Sequence, residues 1–110
     1  MKHNKIKSGM GRIEDSIGQI KRQIFEIGEM RPGSLSRQMR KAKEKYGSYW
    51  QLSYTYRGKG KTEYVREQFV GLVKTETANF KRYRKLSDQL VKLSIDLSRL
   101  KMELPKQDES

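Results

Sequence analysis

The sequence predicts an α+β fold in which an N-terminal helix, a small three-stranded antiparallel meander and a long C-terminal helix follow one another. Three patterns predict it: isoleucines recur at helical spacing near the start, leucines recur at that spacing near the end, and aromatic residues alternate with polar ones between them. The helices are expected to pair as a helical hairpin in a single domain, residues 12–104. Residues 1–11 and 105–110 are expected to be flexible polar tails.

The first helix is predicted over residues 12–28. Gly28 and then Pro32-Gly33 end it, because proline cannot continue a helix and disfavours helical angles in the residue before it. Its apolar stripe has alternating spacings of four and three residues, which place the side chains on one face of a helix: Ile13, Ile17, Ile20, Ile24 and Ile27.

Between the helices the pattern changes to alternation. Residues 49–56 read as a strand that places Trp50 and Leu52 on one face, where they are expected to join the core, and Tyr49 on the other. A turn is predicted at Gly58-Lys59-Gly60. A return strand over residues 61–66 then completes a hairpin.

Residues 34–47 allow two interpretations. Alternating side chains after Pro32-Gly33 indicate a strand near 34–40 and then a basic loop near 41–48. High helix propensity from Arg37 onwards, with serines available as caps, favours a helix instead. The strand is preferred on the ground of the family resemblance given below.

The second helix is predicted over residues 67–103. It would be ~55 Å long, against ~25 Å for the first helix. Its excess apolar surface is therefore either an intramolecular core that includes the meander or part of a coiled-coil-like homodimer seam, and a homodimer is expected. The leucine row behind this prediction is Tyr83, Leu86, Leu90, Leu93, Leu97, Leu100 and Leu104.

Positive charge is concentrated in the middle of the chain. The net charge is +12, and residues 34–66 carry nine basic and two acidic side chains. A basic block between more balanced flanks is typical of a surface that binds a polyanion.

Several kinds of chemistry lack the residues they need. The chain has no cysteine, and its one histidine, His3, stands alone near the N-terminus, so Cys or His catalysis and a metal site are not expected. Gly58-Lys59-Gly60-Lys61-Thr62 lacks the first glycine of a phosphate loop. We expect no enzymatic activity and no cofactor. No apolar run reaches the ~20 residues of a membrane span, and no secretory signal is recognised, so a cytoplasmic protein without membrane contact is expected.

Nucleic-acid binding needs cations that reach phosphates and flat rings that stack on bases. Segment 37–66 supplies both, with Tyr49 as the stacking candidate, and a second basic cluster follows on the long helix. The predicted contacts are Arg37, Arg40, Lys41, Lys43, Lys45, Tyr49, Arg57, Lys59, Lys61, Arg66, Arg82 and Lys85.

The order of motifs over residues 13–104 resembles a small uncharacterised family of bacterial and archaeal proteins, often encoded beside transposases or described as transposase-like. The motifs are the helix, Arg31-Pro32-Gly33-Ser34-Leu35-Ser36, the aromatic strand from Tyr49 to Thr55, and the long leucine-rich helix. Family members usually carry a cysteine-rich knuckle where this chain has Arg40 to Gly47, so no metal-dependent role transfers. The resemblance implies a strand at 34–40 and an association with mobile DNA, but no activity.

Together these patterns predict a non-enzymatic nucleic-acid-binding accessory or regulatory protein, expected to belong to a mobile genetic element and to bind phosphates through segment 37–66. DNA is slightly preferred over RNA because of the family's setting. The alternative is a coiled-coil interaction module that recruits a transposase or another protein.

Overall fold

The computed structural model describes residues 2–39 and 48–104. It confirms the predicted α+β fold: an N-terminal helix, a three-stranded antiparallel sheet, and a long C-terminal helix that packs with the first. The elements are α1 (Lys2–Glu26), β1 (Ser34–Met39), β2 (Ser48–Tyr56), β3 (Lys59–Val65), a single 3-10 turn (Glu67–Phe69) and α2 (Val70–Glu103).

The described residues divide into two compact units. The helical unit contains residues 2–26 and 83–104, and the sheet unit contains residues 27–39 and 48–82. Each unit has its own apolar centre and is described separately below.

In the helical unit, α1 begins ten residues before the predicted start. Residues 2–11, expected to be a polar tail, are helical. The reason is that Ile6 and Met10 continue the isoleucine stripe backwards at the same spacing, and Ile6 is buried. Gly9 also brings α1 close to α2, since a Cβ at this position would lie 3.5 Å from Cδ1 of Leu100.

The leucine row of α2 packs against α1. Leu86 is buried, and the later leucines of the row are half-buried. Because α1 has 25 residues, its length is ~37 Å, which is enough to run beside residues 83–104 of α2. α2 is still nine residues longer than α1, but its first residues, 70–82, belong to the sheet unit. The homodimer stays a prediction.

In the sheet unit the strand order is β1-β2-β3, with both pairs antiparallel. The strand predicted near 34–40 is confirmed as β1, and the helical alternative is wrong for residues 34–39. The predicted loop near 41–48 lies almost entirely outside the described residues, and Ser48 already belongs to β2.

The hairpin turn is shorter than predicted. Arg57 and Gly58 form it, and both have positive φ, 52° and 78°. Lys59 and Gly60 do not belong to the turn, because they pair with Tyr56 and Thr55 in the β3 ladder. Two-residue turns with two left-handed residues match the natural twist of a β-ribbon, so the tighter connection is preferred over a three-residue turn.

The core of the sheet unit is centred on Leu52, whose side chain has no solvent exposure. Segment 27–33 is tied to α2 by two hydrogen bonds: Asn79 Nδ2 donates to the Glu29 carbonyl (2.9 Å), and the Arg31 amide donates to the Glu76 carbonyl (3.2 Å). Gly33 then crosses over Leu52 with φ of 142°. The expected burial of Leu52 is thus confirmed, while Trp50 is only half-buried.

Candidate nucleic-acid interface

A two-stranded extension carries the positive charge of the sheet. β1 pairs with β2 only as far as Ser53, and beyond it β2 and β3 continue as a ribbon of residues 54–61. We call residues 54–61 the basic ribbon. Its charged residues are all basic: Arg57, Lys59 and Lys61.

The cations of the basic ribbon are exposed. Lys59 lies opposite Tyr56 and Lys61 lies opposite Tyr54, so the two lysines share a face with the two tyrosines. Within the part of the chain that the structure describes, neither lysine forms an ion pair. Their charges are therefore available to an external anion.

Arg57 occupies an unfavourable backbone position. Its φ of 52° lies in the left-handed region, where glycine, asparagine and aspartate are preferred in turns of this kind. Its guanidinium carbon lies 5.2 Å from the ring centroid of Tyr56. An arginine here costs backbone energy that an asparagine would avoid, and a position of this kind is a reason to look for a functional role.

Two cations lie close to the ring of Trp50, Arg37 from the neighbouring strand β1 and Lys74 from α2. The guanidinium carbon of Arg37 is 5.7 Å from the ring centroid, and Nζ of Lys74 is 5.3 Å away. The indole Nε1–H donates a hydrogen bond to Glu67 Oε1 at 3.1 Å. Cation–π contacts of this kind hold both positive groups beside the half-buried ring.

The one carboxylate on β3 is neutralised from within the sheet unit. Glu63 Oε2 accepts hydrogen bonds from Tyr54 Oη (2.7 Å) and from Arg31 (3.1 Å), whose guanidinium lies 4.8 Å from the Tyr54 ring centroid. The hydrogen bond from Arg31, and to a lesser extent the one from Tyr54, lowers the pKa of Glu63. The hydrogen bond that Tyr54 donates to Glu63 raises the pKa of Tyr54. Glu63 therefore stays ionised, with Arg31 and Tyr54 as its hydrogen-bond partners and a weaker electrostatic attraction to Lys61.

Tyr49 faces away from these cations. It lies on the opposite face of β2 from Trp50, and its ring meets that of Tyr64 edge-on with centroids 5.3 Å apart. The predicted stacking residue is thus not placed beside Lys59 or Lys61.

The other predicted contacts are distributed as follows. Arg37 is held over Trp50, and Arg66 is exposed just after β3. Arg82 is exposed in the sheet unit, and Lys85 is exposed in the helical unit. Four predicted contacts lie outside the described residues: Arg40, Lys41, Lys43 and Lys45.

Two cations of this surface were missed from the sequence. Arg31 entered the sequence prediction only as part of the Arg-Pro-Gly motif, and Lys74 did not enter it. The sequence feature that could have indicated Arg31 is its position next to Pro32-Gly33, in the segment that leads from the first helix to the sheet. No local pattern marked Lys74, because its contact with Trp50 depends on how α2 packs on β2.

Residues 2–39 and 48–104 contain no group of three His, Asp or Glu side chains placed to hold a metal ion. Neither helix in that part of the chain has the length and apolar character that crossing a membrane requires.

Comparisons of the chain with protein-family models, with curated proteins and with solved structures find no match. The resemblance to transposase-associated proteins therefore stays a prediction.

Proposed function

We propose that this protein binds nucleic acid without catalysis, and that the basic ribbon makes the main contact with phosphates. The observation that carries the proposal is the cluster of exposed cations on the ribbon. One of them, Arg57, has a positive φ that is unfavourable for arginine. The role implied by the resemblance, an accessory or regulatory protein of a mobile element, is part of the same proposal.

The electrostatic balance of the sheet unit supports this function. Its described residues include nine basic and four acidic side chains, a net charge of +5. Glu63 is paired with Arg31, and Glu67 accepts a hydrogen bond from Trp50. Phosphates arriving at the ribbon would therefore meet lysines and an arginine without strong opposition from neighbouring carboxylates.

The shape of the ribbon favours duplex DNA over duplex RNA. Two strands with a tight turn fit the major groove of B-form DNA, which is about 12 Å wide. The major groove of A-form RNA is too deep and narrow for such an element. This gives the slight preference for DNA a physical reason in addition to the family's setting.

Fluorescence anisotropy with labelled DNA and RNA duplexes of one sequence tests the proposal. The variant Arg57→Gln/Lys59→Gln/Lys61→Gln should weaken DNA binding on the order of a hundredfold at physiological salt, because it removes three phosphate contacts. The control Lys5→Gln/Lys21→Gln/Lys101→Gln removes the same charge from exposed positions of the helical unit. It should stay within about threefold of the wild type. Equal losses of DNA affinity in the two variants would refute a specific role of the basic ribbon in DNA binding.

A protein-interaction module is the second candidate. It is favoured by apolar side chains that remain exposed on α2, with Val91 56% and Met102 75% accessible. Pull-down before and after nuclease treatment separates the two functions. Partners that survive the treatment favour protein contact, and partners lost with it favour nucleic acid.

A further inference from the structure

The helical unit has a second apolar stripe on α2. Val91, Ile95 and Met102 are 56%, 47% and 75% exposed and line one shallow groove together with Ser98. At 100° per residue, this stripe lies on the opposite side of the helix from the leucine row that packs on α1. Within residues 2–39 and 48–104, nothing covers it.

A row of alternating charges runs along one edge of this stripe. Lys92, Asp96, Arg99 and Glu103 follow one another at spacings of four, three and four residues, and Asp88 precedes them by one helical turn. The carboxylate of Asp96 lies 3.2 Å from Nζ of Lys92. Reversing the four charges from Lys92 to Glu103 gives the complementary signs. A second helix running the opposite way over these four residues would therefore present the matching sign at each of the four positions, and Asp88 would lie outside the overlap.

We propose that α2 pairs with α2 of a second copy of this chain, in antiparallel orientation, through this stripe. In an antiparallel pair with two-fold symmetry, the same edge of each helix faces its own reversed copy. Lys92 then meets Glu103 of the second copy, and Asp96 meets Arg99 of the second copy. The two-fold axis passes between residues 97 and 98.

The apolar side chains independently require the same register. With the axis between residues 97 and 98, Met102 of the second copy lies about 3 Å along the helix axis from both Val91 and Ile95, midway between them. A flexible methionine inserted between two β-branched side chains is knob-into-hole packing. Ser98 lies close to the axis, where a small side chain lets the helices approach.

A parallel pair does not satisfy the charges. Its symmetry would place the charged row against the other edge of the stripe, which carries Ser94 and Lys101. The antiparallel overlap runs from Lys92 to Glu103, about 18 Å, and buries a small area. We therefore expect a weak dimer that forms reversibly as concentration rises.

Sedimentation velocity of nucleic-acid-free protein, from about 5 µM to about 1 mM, tests the pairing. A positive-row variant, Asp96→Lys/Glu103→Lys, and a negative-row variant, Lys92→Glu/Arg99→Glu, should each remain monomeric. Their equimolar mixture should dimerise at least about tenfold more tightly than either alone. The matched control Glu14→Lys/Asp15→Lys changes the net charge like the positive row, but at exposed positions of α1, and should dimerise like the wild type.

Single cysteines test the orientation in a chain that has none of its own. Under mild oxidation Ser98→Cys should cross-link between copies, because the two sulfurs meet at the axis. Ser94→Cys should not, because the two positions are about 10 Å apart along the helix. A monomeric wild type at the highest concentration, a mixture of row variants that stays monomeric, or cross-linking at Ser94 would overturn the proposal.

Discussion

The substitution Gly33→Ala tests how segment 27–33 is packed on the sheet. Gly33 has φ of 142°, and a Cβ at this position would lie 2.6 Å from Cδ1 of Leu52 and 3.3 Å from the Ser53 carbonyl oxygen. Leu52 is fully buried and cannot move aside without disturbing the core. An alanine is therefore disfavoured both by its backbone angle and by the steric overlap.

The size of the effect follows from these two causes. A residue with a side chain held at such a positive φ costs about 1–3 kcal/mol. Overpacking against a buried leucine costs a further amount of about 1–3 kcal/mol. Gly33→Ala should thus lower the free energy of unfolding by about 2–6 kcal/mol, less about 0.4–1 kcal/mol gained by stiffening the unfolded chain.

Gly58→Ala is the matched control. Gly58 also has a positive φ, 78°, but a Cβ there would meet no atom within 4 Å. Gly58→Ala should therefore cost only the energy of placing a side chain at positive φ, about 1–2 kcal/mol of unfolding free energy. Urea unfolding followed by fluorescence of Trp50, the one tryptophan, measures both variants. If Gly33→Ala is no more destabilising than Gly58→Ala, the backbone of Gly33 does not pack as closely on Leu52 as described.

Three further predictions concern the sheet unit. Glu63→Gln should destabilise the protein by about 1 kcal/mol at pH 7, since the carboxylate is partly exposed. The pKa of Glu63 is lowered on folding, so the difference between wild type and variant should stay constant above the unfolded value of about 4.3 and shrink as pH falls below it. A pH series of thermal unfolding checks this, and a constant difference down to pH 2 would contradict it. Arg57→Asn should raise the free energy of unfolding by about 0.5–1 kcal/mol while weakening DNA binding, and urea unfolding with anisotropy measures the two opposed effects. Stronger or unchanged binding would exclude a direct contact. Tyr49→Ala should change DNA affinity less than about threefold because Tyr49 faces away from the ribbon's lysines; a tenfold loss in anisotropy would restore it as a contact.

Periodicity predicted the elements because each pattern has a direct structural cause. The alternation at Trp50 and Leu52 predicts that one face of a sheet is buried; in the structure Leu52 is fully buried and Trp50 is half-buried. The start of α1 was predicted too late because Ile6 and Met10 are separated from the later isoleucines by Gly9 and Gly11. Glycines lower helix propensity, but packing against α2 outweighs that cost at Gly9.

The candidate site was less predictable than the fold. The sequence prediction assigned Lys59 to the turn and Lys61 to the return strand. That the two lysines share a face, and that they lie on the ribbon, follows from the shorter turn and from where β1 ends. The turn at Arg57 was missed because arginine is not a residue that indicates positive φ. Arg31 could not be paired with Glu63 from the sequence, since the two lie 32 positions apart and meet only in the folded sheet unit.

Salt titration of DNA binding tests the proposed function most directly. The logarithm of the association constant should fall linearly with the logarithm of salt concentration, and the slope should be shallower by about 2.7 in the Arg57→Gln/Lys59→Gln/Lys61→Gln variant, about 0.9 for each lost phosphate contact. Wild type and variant lines with the same slope would show that the ribbon's cations do not meet phosphates.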